Sequence, residues 1–128
     1  MKLSRQDAKK WELFVTNWHP ARVNQWAGRH WSAKHRLRTS DYEILRWDSN
    51  SEEVPLAQGK RRVSLEIVLG PRQRAGDPDA YWKLLLDNLK HLGLIRDDSR
   101  EWLELGTVTF RRGPQRATAI TLEDVGPT

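Results

Sequence analysis

Gly76-Asp77-Pro78-Asp79-Ala80-Tyr81-Trp82-Lys83-Leu84-Leu85-Leu86-Asp87-Asn88-Leu89, with its echo Leu94-Ile95-Arg96-Asp97-Asp98, decides how this chain is read. The first run has the form of an amphipathic helix with acids packed into its first turn. Asp77 suits an N-cap, and Pro78 suits the first helical position, where a missing N–H costs nothing. Trp82, Leu85, Leu86, Leu89 and Leu92 recur with helical spacing and make a stripe to be buried. Gly93 follows as the stop. On another face Asp79, Lys83 and Asp87 stand at successive i+4 steps and can point the same way.

Two accounts of these acids compete. In the plainer one Asp77 caps, Asp79 favours the helix dipole and Lys83 makes i, i+4 pairs, each worth about 0.3–1 kcal/mol. That explains each residue singly. It explains less well two acids one residue apart, a Lys four residues on, and then a second pair of adjacent acids.

Working outward, the 128 residues suffice for a single domain, 1–128, with one modest core. A 38% hydrophobic and 30% charged composition fits a soluble, folded chain. Seven of the 11 aromatic residues are Trp, enough area to serve a subunit interface or base stacking as well as the core. With no Cys there is neither a disulfide framework nor a thiolate metal site. The charged start has no apolar h-region, and no apolar run approaches the ~20 residues of a membrane span. The expectation is a cytoplasmic protein with no membrane partner. Charge is uneven: residues 1–62 carry 13 Lys/Arg against 7 Asp/Glu, and residues 63–128 carry 9 against 10. A basic half joined to an acidic cluster suits a protein that holds a polyanion and does metal chemistry beside it.

In chain order, Trp11 to Thr16 reads as a strand and Asn17 to Gly28 as a loop carrying Trp18, Arg22 and Trp26. Exposed, these would contact phosphates and stack on bases; folded back, the aromatics would cover the sheet. Residues 31–48 read as mostly helical, with Thr39-Ser40-Asp41 as a candidate break. Arg29, His30, Lys34, His35, Arg36 and Arg38 form the densest basic cluster, the best candidate for contact with a DNA backbone. Val63, Leu65, Ile67 and Leu69 alternate as the cleanest strand. Arg72 and Arg74 lie in the loop before Asp77, where they could steer a phosphate. Leu103–Arg112 and Arg116–Glu123 read as two strands of a hairpin turning at Gly113-Pro114-Gln115, and residues 1–10 and 124–128 as frayed tails. The fold class expected is α+β, a mixed sheet of about four strands with two main helices, in the order β-α-β-α-β-β.

Acidic side chains at a loop and helix start are what a hard cation takes: Mg²⁺ binds oxygen ligands, commonly one or two carboxylates plus water and substrate phosphate. A nearby Lys can offset charge that builds on a phosphate. Asp77, Asp79, Asp98 and Lys83 supply that set, and no Walker A, HExxH or Gly-x-Ser-x-Gly motif competes with it.

The run Asp77-x-Asp79-x-x-x-Lys83-x-x-x-Asp87-x-Leu89, then Gly93 and Asp97-Asp98, resembles the signature of the RusA-type Holliday junction resolvases. That signature reads roughly D-x-D-N-x-x-K-x-x-x-D-x-L, then Gly, a hydrophobic pair and D-D. Pro20 to Trp26 resembles that family's N-terminal loop more weakly. The resemblance covers about a fifth of the chain. It implies a RusA-like fold and a small homodimeric, Mg²⁺-dependent endonuclease of DNA recombination and repair, with Mn²⁺ as an alternative metal. Such an enzyme cuts two opposed strands of a four-way junction, and the resemblance implies bacterial or phage origin. By position it makes Asp77, Asp79 and Asp98 the metal ligands and catalytic acids, with Asp97 as a possible fourth, Lys83 the catalytic Lys, and Asp87 structural. DNA contact is expected from Arg22, Arg29, Lys34, Arg36, Arg38, Arg72 and Arg74.

One departure is plain: Ala80 stands where the family has Asn. Loss of an outer group at a metal site costs about 10–100-fold in affinity or activity, so a member that binds branched DNA without cutting it is the alternative. Geometry adds a second expectation. A helix from Pro78 to Leu92 is roughly 20 Å long, and five extended residues return about 17 Å. Asp98 therefore rejoins Asp77 and Asp79 only with difficulty in the same chain, and is expected to complete the site across a twofold dimer.

Overall fold

The computed structural model describes residues 9–22 and 31–126, the side chains of residues 31–34 excepted. Its order is β1 (Lys10–Thr16), α1 (Trp31–Ser51), β2 (Arg61–Leu69), a 3-10 turn (Pro78–Tyr81) continuing into α2 (Trp82–His91), β3 (Leu103–Arg112) and β4 (Ala117–Asp124). This is the expected α+β domain with a four-stranded mixed sheet and two helices.

The sheet runs β1-β4-β2-β3. β4 is antiparallel to both β1 and β2, whereas β2 and β3 are parallel and joined through α2. The expected β3–β4 hairpin is therefore corrected: β2 lies between the two. The reason is burial. β2 and β4 carry stretches buried on both faces, Ile67 to Leu69 and Ala117 to Ile120, and so take the inner positions. β1 and β3 expose nearly every second residue and form the edges. The connection after β3 must then cross the end of β2. Gly113 N–H donates to Leu69 O (2.9 Å), and Arg112 Nη1 donates to the carbonyls of Gly70 and Gln73 (both 2.6 Å).

One face of the sheet packs under both helices. Leu13, Val63, Leu65, Ile67, Ile120 and Leu122 meet Tyr81, Trp82, Leu85 and Leu89 from the 3-10 turn and α2, with Leu45 from α1. The expected stripe is buried at Trp82, Leu85 and Leu89 and half-buried at Leu86 and Leu92. Gly93 closes α2 at φ +78, a left-handed cap that costs a glycine little, and Leu94 N–H reaches back to Leu89 O (2.9 Å).

Two further expectations are corrected. Thr39-Ser40-Asp41 does not break α1, because the Asp41 side chain turns inward to partners on another segment instead of competing for its own backbone. Lys10 and Asp124, assigned to frayed tails, are paired strand residues. Arg61, 1% exposed, donates from Nε to Asp124 (2.8 Å) and from Nη1 to Leu94 O (2.9 Å), with its guanidinium over the Trp11 ring. Val125 N–H also bonds Lys60 O (3.0 Å). A buried guanidinium needs these partners, since an unpaired buried charge is costly.

Candidate functional site

β1, β2 and β3 run the same way and β4 the opposite way, so the sheet has one end where three strands finish and another where they begin. The acidic turn lies at the finishing end. Asp77 follows the loop that leaves β2, with extended backbone (φ −65, ψ 123), and its Oδ1 accepts the Asp79 N–H (3.1 Å). Pro78 fills the first helical position as expected, and Ala80 N–H bonds Asp77 O (3.0 Å). Asp77, Asp79 and Lys83 are exposed and Asp87 is half-buried. The tight 3-10 turn between Asp79 and Lys83 shifts their phase from that of a uniform α-helix. Among the described residues Lys83 makes no ion pair with Asp79 or Asp87.

Arg22 is brought to this turn from 54 positions earlier in the sequence. A Cβ built on Gly76 would meet Arg22 Nη1 at 2.7 Å and the Tyr81 hydroxyl at 3.2 Å, so the glycine makes the close approach possible. The Arg22 guanidinium also lies over the Tyr81 ring, 5.9 Å from its centroid. The segment carrying Arg22 is pinned from α1. Asp41, 5% exposed, accepts Trp18 Nε1–H (3.0 Å) and Ala21 N–H (2.8 Å). Burial raises the Asp41 pKa, and the two hydrogen bonds work against that rise.

Beside the turn opens a cleft of about 360 Å³ lined by His19, Arg22, Gln73, Arg74, Tyr81 and Arg116, among others. His19 Nε2 donates to Val68 O (2.8 Å). Desolvation lowers its pKa most; the Val68 carbonyl opposes this, and the Arg116 and Arg22 charges add to it. Arg116 is braced by Asn17, whose side-chain oxygen accepts from Nε (3.3 Å) and whose N–H bonds Arg116 O (2.7 Å). Neither His19 nor Arg116 is legible as a site residue from the sequence alone. Arg116 was hidden by the hairpin reading, which kept its turn away from β2. The usable signal was the small, apolar Ala117-Thr-Ala-Ile run, which marks β4 as an interior strand.

Asp98 stands at the other end. It precedes β3, is exposed, and lines a second cleft of about 430 Å³ with Lys60, Leu86, Arg100 and Leu103 to Leu105. Asp97 Oδ1 accepts the Asp98 N–H (2.8 Å) and faces Lys90 Nζ at 3.7 Å. The ten residues of α2 and four of the 3-10 turn span roughly 23 Å. Among the described residues no group of three or more His, Asp or Glu side chains is gathered as a metal site.

Of the expected DNA contacts, Arg36, Arg38, Arg72 and Arg74 are exposed and Arg22 is half-buried. The Lys34 side chain and all of Arg29 lie outside the described residues. Trp18 and Trp82 are 8% exposed and belong to the core, while Trp47 is 77% exposed on α1. No described helix is long and apolar enough to cross a membrane. Compared with models of known protein families the chain matches none, and no curated protein matches it significantly.

Proposed function

We propose that this protein is a Mg²⁺-dependent, structure-selective DNA endonuclease of the junction-resolvase type, acting as a twofold homodimer on four-way junctions. One observation carries the reading. Asp77 and Asp79 stand exposed on a single turn, beside a cleft walled by Arg22, Arg74, Arg116 and His19. Paired carboxylates against concentrated positive charge suit a phosphodiester and a hard cation together.

The donor chemistry fits Mg²⁺, or Mn²⁺ in its place: two carboxylates from one chain leave positions for water and phosphate oxygen. When bound, the metal supplies Lewis-acid polarisation of the phosphodiester and activation of water. Asp77 and Asp79 would hold it and Asp98 of a second copy would complete the set, while Asp97 steadies the Asp98 turn. Lys83, one turn along from the acids, offsets charge building on the phosphate. Arg22 and Arg74 orient the strand, and the exposed Arg36, Arg38 and Arg72 bind neighbouring phosphates.

A second reading has its own support. Ala80 replaces the expected Asn, and Asp77 already serves as the cap of the 3-10 turn. In that reading the protein binds branched DNA without cutting it. Gel-based cleavage of a synthetic four-way junction with Mg²⁺ separates the two, comparing wild type with Asp79→Asn and using linear duplex as control. The endonuclease gives symmetric nicks from wild type alone. Tight junction binding by both proteins with no nicks from either supports the non-cutting binder.

A further inference from the structure

We infer that Trp47, in a groove near the end of α1, is a stacking platform for one unpaired base of a branched DNA. Glu43 and Asn50 meet the edge of that base, and Arg46 meets its phosphate. This rests on the DNA-binding part of the reading above, not on cleavage.

The other tryptophan faces described are occupied. Trp18 and Trp82 are core residues. Trp11 lies under the Arg61 guanidinium, 4.8 Å from its ring centroid, and Trp102 under that of Arg96, at 4.6 Å. Trp47 is 77% exposed, by far the most open of them. α1 cannot turn to bury it. Asp41, Leu45 and Ser49 recur at i+4 steps on the opposite face and are buried, and Asp41 is pinned to Trp18 and Ala21. Glu43, Arg46, Trp47 and Asn50 therefore share the solvent face, where they line a groove of about 510 Å³. The end of the helix is fixed as well. Val54 N–H reaches back to Ser49 O (3.0 Å) and Glu53 N–H to Asn50 O (3.1 Å), with Glu53 in the left-handed region at φ 56.

A nucleobase fits this groove in size and in chemistry. Base and indole are both flat π surfaces, and every base has a face that stacks on an aromatic ring. The Asn50 amide both donates and accepts, as a base edge does. The Glu43 carboxylate takes base N–H groups and repels a phosphate from the same spot. Arg46 belongs to none of the ion pairs among the described residues, so its charge is available to the phosphate. Arg36, exposed about three turns back on nearly the same face, continues the positive surface along a strand. A protein partner is disfavoured by scale. One ring among polar groups lacks the apolar centre of the roughly 800 Å² that each side of a stable interface buries. The base has to be unpaired, because within a duplex its faces are stacked and its edge is paired.

The test uses a four-way junction carrying one unpaired 2-aminopurine beside the branch point, whose fluorescence falls when the base stacks. It is titrated without divalent metal, at several salt concentrations, beside a fully paired linear duplex. Wild type is compared with Trp47→Ala, Trp47→Phe and Phe14→Ala, the last an exposed-aromatic control on β1. Trp47→Ala abolishes the quench and weakens junction binding about tenfold. Its affinity for linear duplex is unchanged, as is the slope of log affinity against log salt, since stacking releases no counterions. Trp47→Phe restores most of the quench and affinity, and Phe14→Ala behaves as wild type. Thermal melting confirms that each variant is folded. If Trp47→Ala quenches and binds as wild type does, the platform is overturned while the endonuclease reading survives. If it instead turns a dimer into monomers with the quench intact, Trp47 serves a contact between copies and the platform is again overturned. If Trp47→Ala loses quench and affinity yet wild type cuts no junction, the platform stands and the endonuclease reading falls. If wild type binds no DNA, both fall.

Discussion

The two ends of the sheet are built differently. Where β1, β2 and β3 finish, residues far apart in sequence converge: Arg22 against Gly76, Arg116 against Asn17, His19 against Val68. Where β2 and β3 begin, Asp98 sits on a short local turn beside a cleft with an apolar share, Leu86, Leu103 and Leu105. One end is a constructed basic pocket beside two acids. The other offers one exposed acid next to apolar surface, with Leu105 50% exposed on the edge strand β3. The contrast teaches that, among the described residues, neither end gathers a metal site by itself, and the proposed dimer is the arrangement that would bring Asp98 to Asp77 and Asp79.

The largest expected effect is at the acid of the sparser end. Asp98→Asn lowers junction cleavage by at least the 10–100-fold that loss of an outer metal partner costs, and junction binding stays near wild type. Steady-state nicking beside anisotropy measures both. If cleavage persists at the wild-type rate, Asp98 belongs only to its local turn and the two ends are not parts of one site.

Next is the anchor of the basic end. Asp41→Ala leaves two buried donors, Trp18 Nε1–H and Ala21 N–H, without an acceptor, at about 1–3 kcal/mol each. Removing a buried carboxylate returns part of that, so denaturant unfolding is expected to show a loss of roughly 2 kcal/mol. The variant should also lose the salt-dependence contribution of Arg22. A variant of unchanged stability would mean that the Trp18–Ala21 segment holds without α1.

A smaller effect comes from His19. Its folded-state pKa lies below the ordinary value of 6.5, so the unfolded chain binds more protons in the interval just beneath that value. Stability therefore rises with pH through that interval and is lost as pH falls below about 6.5. Asp41 works in the opposite sense at lower pH: its raised pKa makes the native state the better proton binder, so stability falls as pH rises from its ordinary value of 3.8 towards the raised one. Melting temperature between pH 7 and 5 should drop, and His19→Gln should flatten the drop. An identical slope in the variant would show that His19 does not report on the cleft.

Least affected is Lys90→Ala, which removes a 3.7 Å pair between half-exposed partners. Exposed pairs of this kind are worth about 0–1 kcal/mol. Asp97 keeps its bond to the Asp98 N–H, so nicking should be nearly unchanged.

Much of the fold is legible in the sequence. The stripe on α2, the Gly93 stop, the alternation of β2 and the capping by Asp77 are local patterns, and local patterns survive folding when the tertiary structure agrees with them. Strand order was not legible, because a Gly-Pro-Gln turn between two strands has the same local chemistry whether or not a third strand lies between them. That one error concealed the cleft. Arg116 sits beside β2 only because the chain crosses over it, and His19 takes meaning only from Val68 and Arg116. Asp41 looked like a helix breaker, since nothing near it in sequence tells that its partners are Trp18 and Ala21.

The most direct test of the two-ended account mixes two inactive proteins. Asp79→Asn and Asp98→Asn are each purified, combined, exchanged into mixed dimers, and assayed with Mg²⁺ on a four-way junction against wild type. If the site is shared across the dimer, a mixed dimer carries one intact site and one doubly broken one, so single nicks reappear where neither parent cuts. If wild type cuts but the mixture stays silent although mixed dimers have formed, Asp98 does not complete the partner's site and the central claim is wrong.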